Sequence, residues 1–345
     1  MQLSMQLSYA GGFKESAAQV ADLEKAGLDL VWVAEAYGFD APSLMGYLAA
    51  RTERVQIGAG ILPIYSRTPA LLAQTAAGVD ALSEGRCVLG LGASGPQVIE
   101  GWHGVPYDRP VTRTREIIEI CRQVWRREQV SYNGRAYTLP LPVEQGTGLG
   151  KSLKLIPHPV RAHIPIYVAA LGEKNVELTA EVADGWLPIF FLPERAASVW
   201  GASLAAGTAR RSADLAPIKI CAGGMVAIGE EDEVAAVRDL ARPLVALYVG
   251  GMGAKGANFY NGLVCRYGFE AEAAEIQDLY LAGHKDEAAA KVPPELLESM
   301  TLCGPEGYIK DRIAAYREAG VTVLNITPVG PDPRRIVSNV KEWTA

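Results

Sequence analysis

Apolar runs of strand length alternate with amphipathic helical stretches from one end of this chain to the other, and the number of runs decides the architecture. Eight runs emerge: Leu3 to Tyr9, Leu30 to Ala34, Val55 to Ile61, Cys87 to Leu91, Ile166 to Ala170, Gly185 to Ile189, Ile218 to Ile228 and Val323 to Thr327. Between them lie helical stretches such as Ser16 to Ala26, Pro69 to Leu82, Thr112 to Arg126 and Lys174 to Ala183. Several of these carry apolar residues at i, i+3, i+4 and i+7, the pattern of a helix with one buried face. Parallel strands need helical crossovers, and eight such units close most simply into an α/β (β/α)8 TIM barrel. The 345 residues suit one barrel domain, 1–345, that carries insertions.

Two segments break the rhythm. The first, 129–165, is rich in Pro and Gly (LPLPVEQGTGLGK) and reads as a long loop with a short Tyr-containing hairpin. The second, 251–301, reads as largely helical. Both keep regular apolar residues, including Phe259, Tyr260, Leu263, Ile276, Leu279 and Leu296, so neither has the composition of a disordered segment. A barrel tolerates growth in the loops over its mouth, and both are expected there, with no domain boundary.

A net charge of −6 from 33 basic and 39 acidic residues, well mixed along the chain, provides no basic stripe for nucleic acid. The opening MQLSMQLSYAGG lacks a charged segment followed by an apolar run, and no stretch of about 18 apolar residues occurs, so neither secretion nor a membrane span is expected. The chain reads as cytoplasmic. Cys87, Cys121, Cys221, Cys265 and Cys303 are odd in number, widely spaced and without a C-x-x-C pair, which points to free thiols rather than disulfides or a zinc site. None of the four histidines has a partner at triad or metal spacing.

Two glycine-rich motifs invite a nucleotide reading, and context rejects both. GTGLGKS, Gly146 to Ser152, resembles a phosphate-cradling loop, but Gln145 stands where that loop needs Gly, and LPLPV precedes it in place of a buried strand. GLGASG, Gly90 to Gly95, follows a strand without the G-x-G-x-x-G spacing of a dinucleotide fold. Its glycines still let backbone approach a flat ligand, which makes Ser94 and Gly95 candidates for the mouth. After the fifth run, Gly172 ends the strand and a helix begins near Glu173 to Asn175. A helix N-terminus offers free N–H groups and the positive end of a dipole, and Lys174 and Asn175 add donors for an anion. Glu35, closing the second run, is expected to point into the mouth as its leading titratable group.

The segment Val88 to Trp125, with LGLGASGPQVIEGWHGVPYDRPVTRTREIIEICRQVW, resembles the strand, mouth loop and helix of luciferase-like monooxygenases and their deazaflavin-dependent relatives. SAAQVADLEKAGLDLVWVAE, RVQIGAGILPIYSRTPALLAQTAAGVDALSEGRCVLGLG and CGPEGYIKDRIAAYREAGV are similar to the same superfamily in order and spacing. The resemblance to its coenzyme F420-dependent oxidoreductases implies a non-prolyl cis peptide at Gly60–Ile61, forming a bulge that backs the cofactor ring. It implies cofactor contacts at Gly60, Ile61, Ser94 and Gly95, and a phosphate site at Leu171, Gly172, Glu173, Lys174 and Asn175. It places Glu35 and Gln97 against the ring as candidate catalytic residues. Many deazaflavin reductases carry Asp-His after the second strand, whereas this chain has Glu35-Ala36, so the histidine proton donor is missing.

The resulting expectation is hydride transfer between F420 and a small organic substrate, in an enzyme that, like its relatives, forms a homodimer. The alternative on the same fold is a monooxygenase using reduced FMN and oxygen. A phosphate-substrate lyase and a non-enzymatic flavin-binding protein are the more distant readings.

Overall fold

The computed structural model describes residues 1–7 and 12–345. Eight parallel strands close a barrel in chain order: β1 (Gln2–Gln6), β2 (Leu30–Val33), β3 (Gln56–Ala59), β4 (Cys87–Gly92), β5 (Ile166–Ala169), β6 (Gly185–Trp186), β7 (Lys219–Ile228) and β8 (Val323–Pro328). Every neighbouring pair is parallel, and β8 returns to β1 with Ser4 beside Asn325 and Met5 beside Ile326. The expected barrel and its eight runs are therefore present. The sixth run is much shorter than expected. The chain leaves β6 after Trp186 and turns through Phe190 at φ 53°. The last two residues assigned to the first run, Ser8 and Tyr9, lie outside the described residues.

Local chemistry sets the helix starts on the outer layer. Asp40 caps Ala41–Arg51 by accepting from the Ser43 N–H, and Thr68 caps Pro69–Leu82 by accepting from the Leu71 N–H. Each helix has a proline in its first turn, where the missing N–H costs nothing.

The excursions leave the barrel between β4 and β5 and between β7 and β8. The first carries a two-stranded hairpin, Tyr132–Asn133 with Thr138–Leu139, whose turn is gripped by the buried Glu116 carboxylate through the N–H groups of Arg135, Ala136 and Tyr137 at 2.7–3.0 Å. The second consists of the helices Phe259–Arg266, Glu270–Leu281, Lys285–Ala290 and Pro294–Met300. It ends in a short strand, Leu302–Gly304, laid along the upper part of β7. Leu263, Ile276 and Leu296 from this excursion belong to the same buried cluster as the outward faces of the barrel strands. No helix among the described residues is long and apolar enough to cross a membrane.

Side chains alternate across the barrel wall, as the pleat requires. Leu3, Met5, Val31, Val33, Ile57, Leu89, Val168 and Leu324 face the helices. Leu30, Trp32, Val88, Tyr167, Cys221 and Val323 fill the interior. Trp32 and Tyr167 touch with ring centroids 5.3 Å apart. Space for them comes from glycines: a Cβ on Gly58 would lie 2.4 Å from the Trp32 ring, and one on Gly185 would lie 2.2 Å from the Tyr167 ring. Overpacking a core typically costs about 1–3 kcal/mol. Gly58→Ala is therefore expected to lower the unfolding free energy by about that amount in urea denaturation. Gly78→Ala, on the exposed face of a helix with nothing within 4 Å of the new methyl, should raise it by up to about 1 kcal/mol. Equal effects of the two alanines would contradict this packing of the barrel interior.

Candidate active site

The interior row changes character toward the C-terminal ends of the strands. Below, Ser4, Trp32, Gly58, Tyr167 and Val323 are buried; one step higher, Gln6, Ala34, Gly60, Ala169 and Asn325 are only partly so. The barrel is thus plugged beneath and open above. Ala34, Gly60 and Ala169 are small, so little side-chain bulk stands at the opening.

The peptide bond between Gly60 and Ile61 is cis, as the resemblance implied. The chain then rejoins the sheet at Leu62–Pro63, which pairs with Leu91 and Gly92 of β4. Strand β4 approaches so closely that a Cβ on Gly90 would lie 1.7 Å from the Ala59 carbonyl oxygen. A Cβ on Gly92 would meet Ile61 at 2.9 Å and Ala169 at 3.4 Å. The bulge and the ends of β4 and β5 therefore form one continuous wall.

Three non-glycine residues follow strands with left-handed backbone: Ala36 (φ 46°) after β2, Ser94 (φ 57°) after β4 and Phe190 (φ 53°) after β6. Such conformations cost on the order of 1–3 kcal/mol each and persist where surrounding contacts impose them. At Ser94 the contacts are visible. Its carbonyl accepts from the Tyr107 hydroxyl at 3.4 Å, and the Tyr107 ring packs at a tilt, 5.2 Å between centroids, on Tyr65, which lies just beyond the bulge. Tyr65 donates to the Asp108 carbonyl at 2.8 Å, and Arg113 holds the Asp108 carboxylate with Nε at 3.1 Å and Nη2 at 2.6 Å. The Arg113 guanidinium also sits 5.3 Å from the ring centroids of both Tyr65 and Tyr137. Burial, then the neighbouring Tyr107, pushes the Tyr65 hydroxyl far above its ordinary range, so it stays protonated and donates. This bracket ties the β3 rim, the β4 loop and the first excursion together.

The helix after β5, Glu173–Val182, begins at Gly172 with no side-chain cap. Asn175 and Val176 donate to the Gly172 carbonyl, and the N–H groups of Glu173 and Lys174 have no acceptor among the described residues. Lys174 is 81% exposed and reaches Glu177 at 3.0 Å, so it is not committed to an anion. Asn175 turns its Oδ1 into a buried position without a partner. Leu171 passes its carbonyl to Trp200 and Arg266, which fixes the approach to the helix. Gly60, Ile61, Ser94, Gly95 and the Leu171 to Asn175 turn thus lie at the ends of consecutive strands. Gln97 is exposed and folds back over Gly95, its Oε1 3.0 Å from where a Cβ of that glycine would stand.

Glu35 faces the other way from the expectation. Trp32 points into the barrel, so Ala34 does too, while Val33 and Glu35 share the outward face. The Glu35 carboxylate lies under the helix layer, bonded by Arg67 at 2.6 and 2.7 Å and by the Ala41 N–H at 2.9 Å. Its side chain is 7% exposed and that of Arg67 is 13% exposed. It pins the β2 loop to the β3 loop and presents no carboxylate oxygen to the floor. Reading the alternation from Trp32 would have found this, and the same alternation along β1 and β8 would have found Gln6 and Asn325, which sequence reasoning missed.

The model of one family, the luciferase-like monooxygenases, matches residues 1–323. The chain belongs to that family. Within it, the chain is 43% identical over 332 residues, 95% of both sequences, to a Mycobacterium tuberculosis protein provisionally named a coenzyme F420-dependent oxidoreductase. It is 27% identical over 321 residues to the 5,10-methylenetetrahydromethanopterin reductase of Archaeoglobus fulgidus, covering 91% of this chain and 90% of that one. Among solved structures, the coenzyme F420-dependent tetrahydromethanopterin reductase of Methanopyrus kandleri superposes with a TM-score of 0.81 at 21% identity, covering 99% of this chain and 97% of the other. That last likeness is one of fold.

In this luciferase-like barrel the Glu35–Arg67 pair is a support for the rim. Removing one partner of a buried pair strands a charge and costs about 3–5 kcal/mol, whereas replacing both with apolar groups of similar volume is often neutral. Glu35→Leu should therefore lower the urea midpoint markedly, and adding Arg67→Met should recover most of the loss. A single variant as stable as the parent chain would show that the pair does not hold the rim.

Proposed function

We propose that this chain is an oxidoreductase that binds coenzyme F420 at the C-terminal face of its barrel, where a hydride moves between the ring and a small organic substrate. The observation that carries the reading is the 43% identity, over 95% of both sequences, with the provisionally named F420-dependent protein. The geometry agrees with it. A flat ring fits the floor lined by Ala34, Gly60 and Ala169, backed by the bulge at Gly60–Ile61. The cofactor's phosphate fits the uncapped start of the helix Glu173–Val182, where two N–H groups and Lys174 supply donors. Bound F420 supplies a ring carbon that gives or accepts a hydride and reacts poorly with oxygen.

The protein supplies position and water exclusion. Ser94 and Gly95, held by the Tyr107–Tyr65–Arg113 bracket, form a firm edge beside the ring. Tyr37, Phe39 and Trp102 are 59%, 78% and 68% exposed on the loops after β2 and β4. This exposed apolar surface on two strand-end loops suits an apolar substrate with one carbonyl or alkene to reduce. Ala36 occupies the place of the family's histidine, so the β2 loop offers no imidazole as proton donor. Gln97, exposed beside Gly95, is placed to contact substrate.

Fluorescence titration with oxidised F420 tests the reading. Saturable quenching at micromolar concentration is expected, with FMN at least tenfold weaker. Lys174→Glu should weaken F420 binding two- to tenfold, since a charge at a helix end is worth about 0.3–2 kcal/mol. Tighter binding of FMN, with oxygen consumed during turnover, would overturn the assignment of F420.

A further inference from the structure

Two neutral carboxamides stand on the barrel floor with unused hydrogen-bonding ends. Ser4 and Asn325 are direct neighbours in the parallel register of β1 and β8, both facing the interior. The Ser4 hydroxyl donates to Asn325 Oδ1 at 2.9 Å and lies 3.4 Å from the Cys221 sulfur. Burial pushes the Cys221 thiol up to about 12, so it remains an S–H that can donate to Ser4 and leave the serine proton for Asn325. With its oxygen occupied, the Asn325 amide is turned so that both Nδ2 protons are free. No protein group among the described residues accepts from Nδ2, and it is not among the buried orphan atoms, so it opens to solvent. Val323, one step below on the same face, is fully buried, which leaves the mouth as the direction of that opening.

Gln6 follows Ser4 on the same inward face of β1. Its Nε2 donates at 3.5 Å to the carbonyl of Gly60, inside the bulge, and its Oε1 accepts no bond among the described residues. A Cβ on Gly60 would come within 2.9 Å of that Oε1, so the carboxamide lies against the bulge itself. The neighbouring position on β7 is Gly223, which leaves the space beside Asn325 clear of a side chain. An open donor on β8 and an open acceptor on β1 therefore stand on strands about 4.8 Å apart.

We propose that Asn325 and Gln6 are positioning residues that read the carbonyl and N–H edge of a flat dione ring: Asn325 donates to a ring carbonyl, Gln6 accepts from the ring N–H, and Ser4 sets the orientation of Asn325. This rests on the proposed binding of F420 at the floor. FMN carries the same edge, so the two carboxamides select a ring type and do not choose between those cofactors. Both side chains are neutral at any physiological pH, so they orient the ring without supplying a proton.

The test uses the intact protein with oxidised F420 and, separately, FMN as probes, followed by fluorescence and by the absorbance maximum of the bound ring. Loss of one hydrogen bond corresponds to about tenfold in affinity. Asn325→Leu and Gln6→Leu are each expected to weaken F420 by about that factor and to shift its bound absorbance maximum. Gln6→Glu, which keeps an acceptor oxygen, should lose less than Gln6→Leu. Ser4→Ala should weaken binding about threefold by letting the amide turn. Gln6 is only partly buried, so Gln6→Leu keeps the test decisive if Asn325→Leu does not fold. Parent-like affinity and spectrum in Gln6→Leu would overturn the proposal while leaving F420 binding in place. Binding of FMN instead of F420, weakened by the same substitutions, would overturn the cofactor assignment and support the edge contact. A parent chain that binds neither would overturn both.

Discussion

Closure of the parallel sheet governs everything else in this protein. Once β8 pairs with β1, each strand has one face toward the helices and one toward an interior that side chains must fill. Trp32 and Tyr167 fill it, and Gly58 and Gly185 make the room they need. Because the plug lies low in the barrel, the upper ends of the strands are released from packing. Only there can small residues and unpaired polar groups accumulate without leaving a cavity in the core.

The rim shows how the protein holds irregular backbone in place. Left-handed residues after β2, β4 and β6 lack the regular hydrogen bonding of a strand or helix, and side chains from other elements supply the constraint. Glu35 and Arg67 join the β2 and β3 loops, while Tyr107, Tyr65 and Arg113 join the β3 and β4 loops to the first excursion. These contacts have the character of scaffolding. The groups left free to meet a ligand are instead neutral amides, backbone N–H groups and exposed aromatic rings. That division suits chemistry in which a bound ring carries the reaction and the protein supplies geometry.

A similar economy appears at the helix after β5. Its first turn lacks a cap, and the nearby charges, Lys174 with Glu177 and Arg266 with Glu173, nearly cancel. An anion seated there would be held chiefly by oriented N–H groups, whose direction is fixed by backbone, and less by the exposed lysine.

The sequence by itself determined the architecture. Strand-length apolar runs, helical periodicity and turn residues are local properties, so eight β/α units and two excursions were legible without coordinates. The glycines of β4 and the opening of the helix at Gly172 were legible for the same reason. The direction of Glu35 was also written in the alternation that starts at Trp32, yet position at a strand end alone suggested the opposite. What only the tertiary structure decided is which distant residues share a layer. Ser4, Cys221 and Asn325 meet because barrel closure sets the register between the first strand and the last two, and Arg67 reaches Glu35 because two loops cross at the rim. Contacts between residues 32 to 321 positions apart depend on that register and closure, which no local pattern encodes.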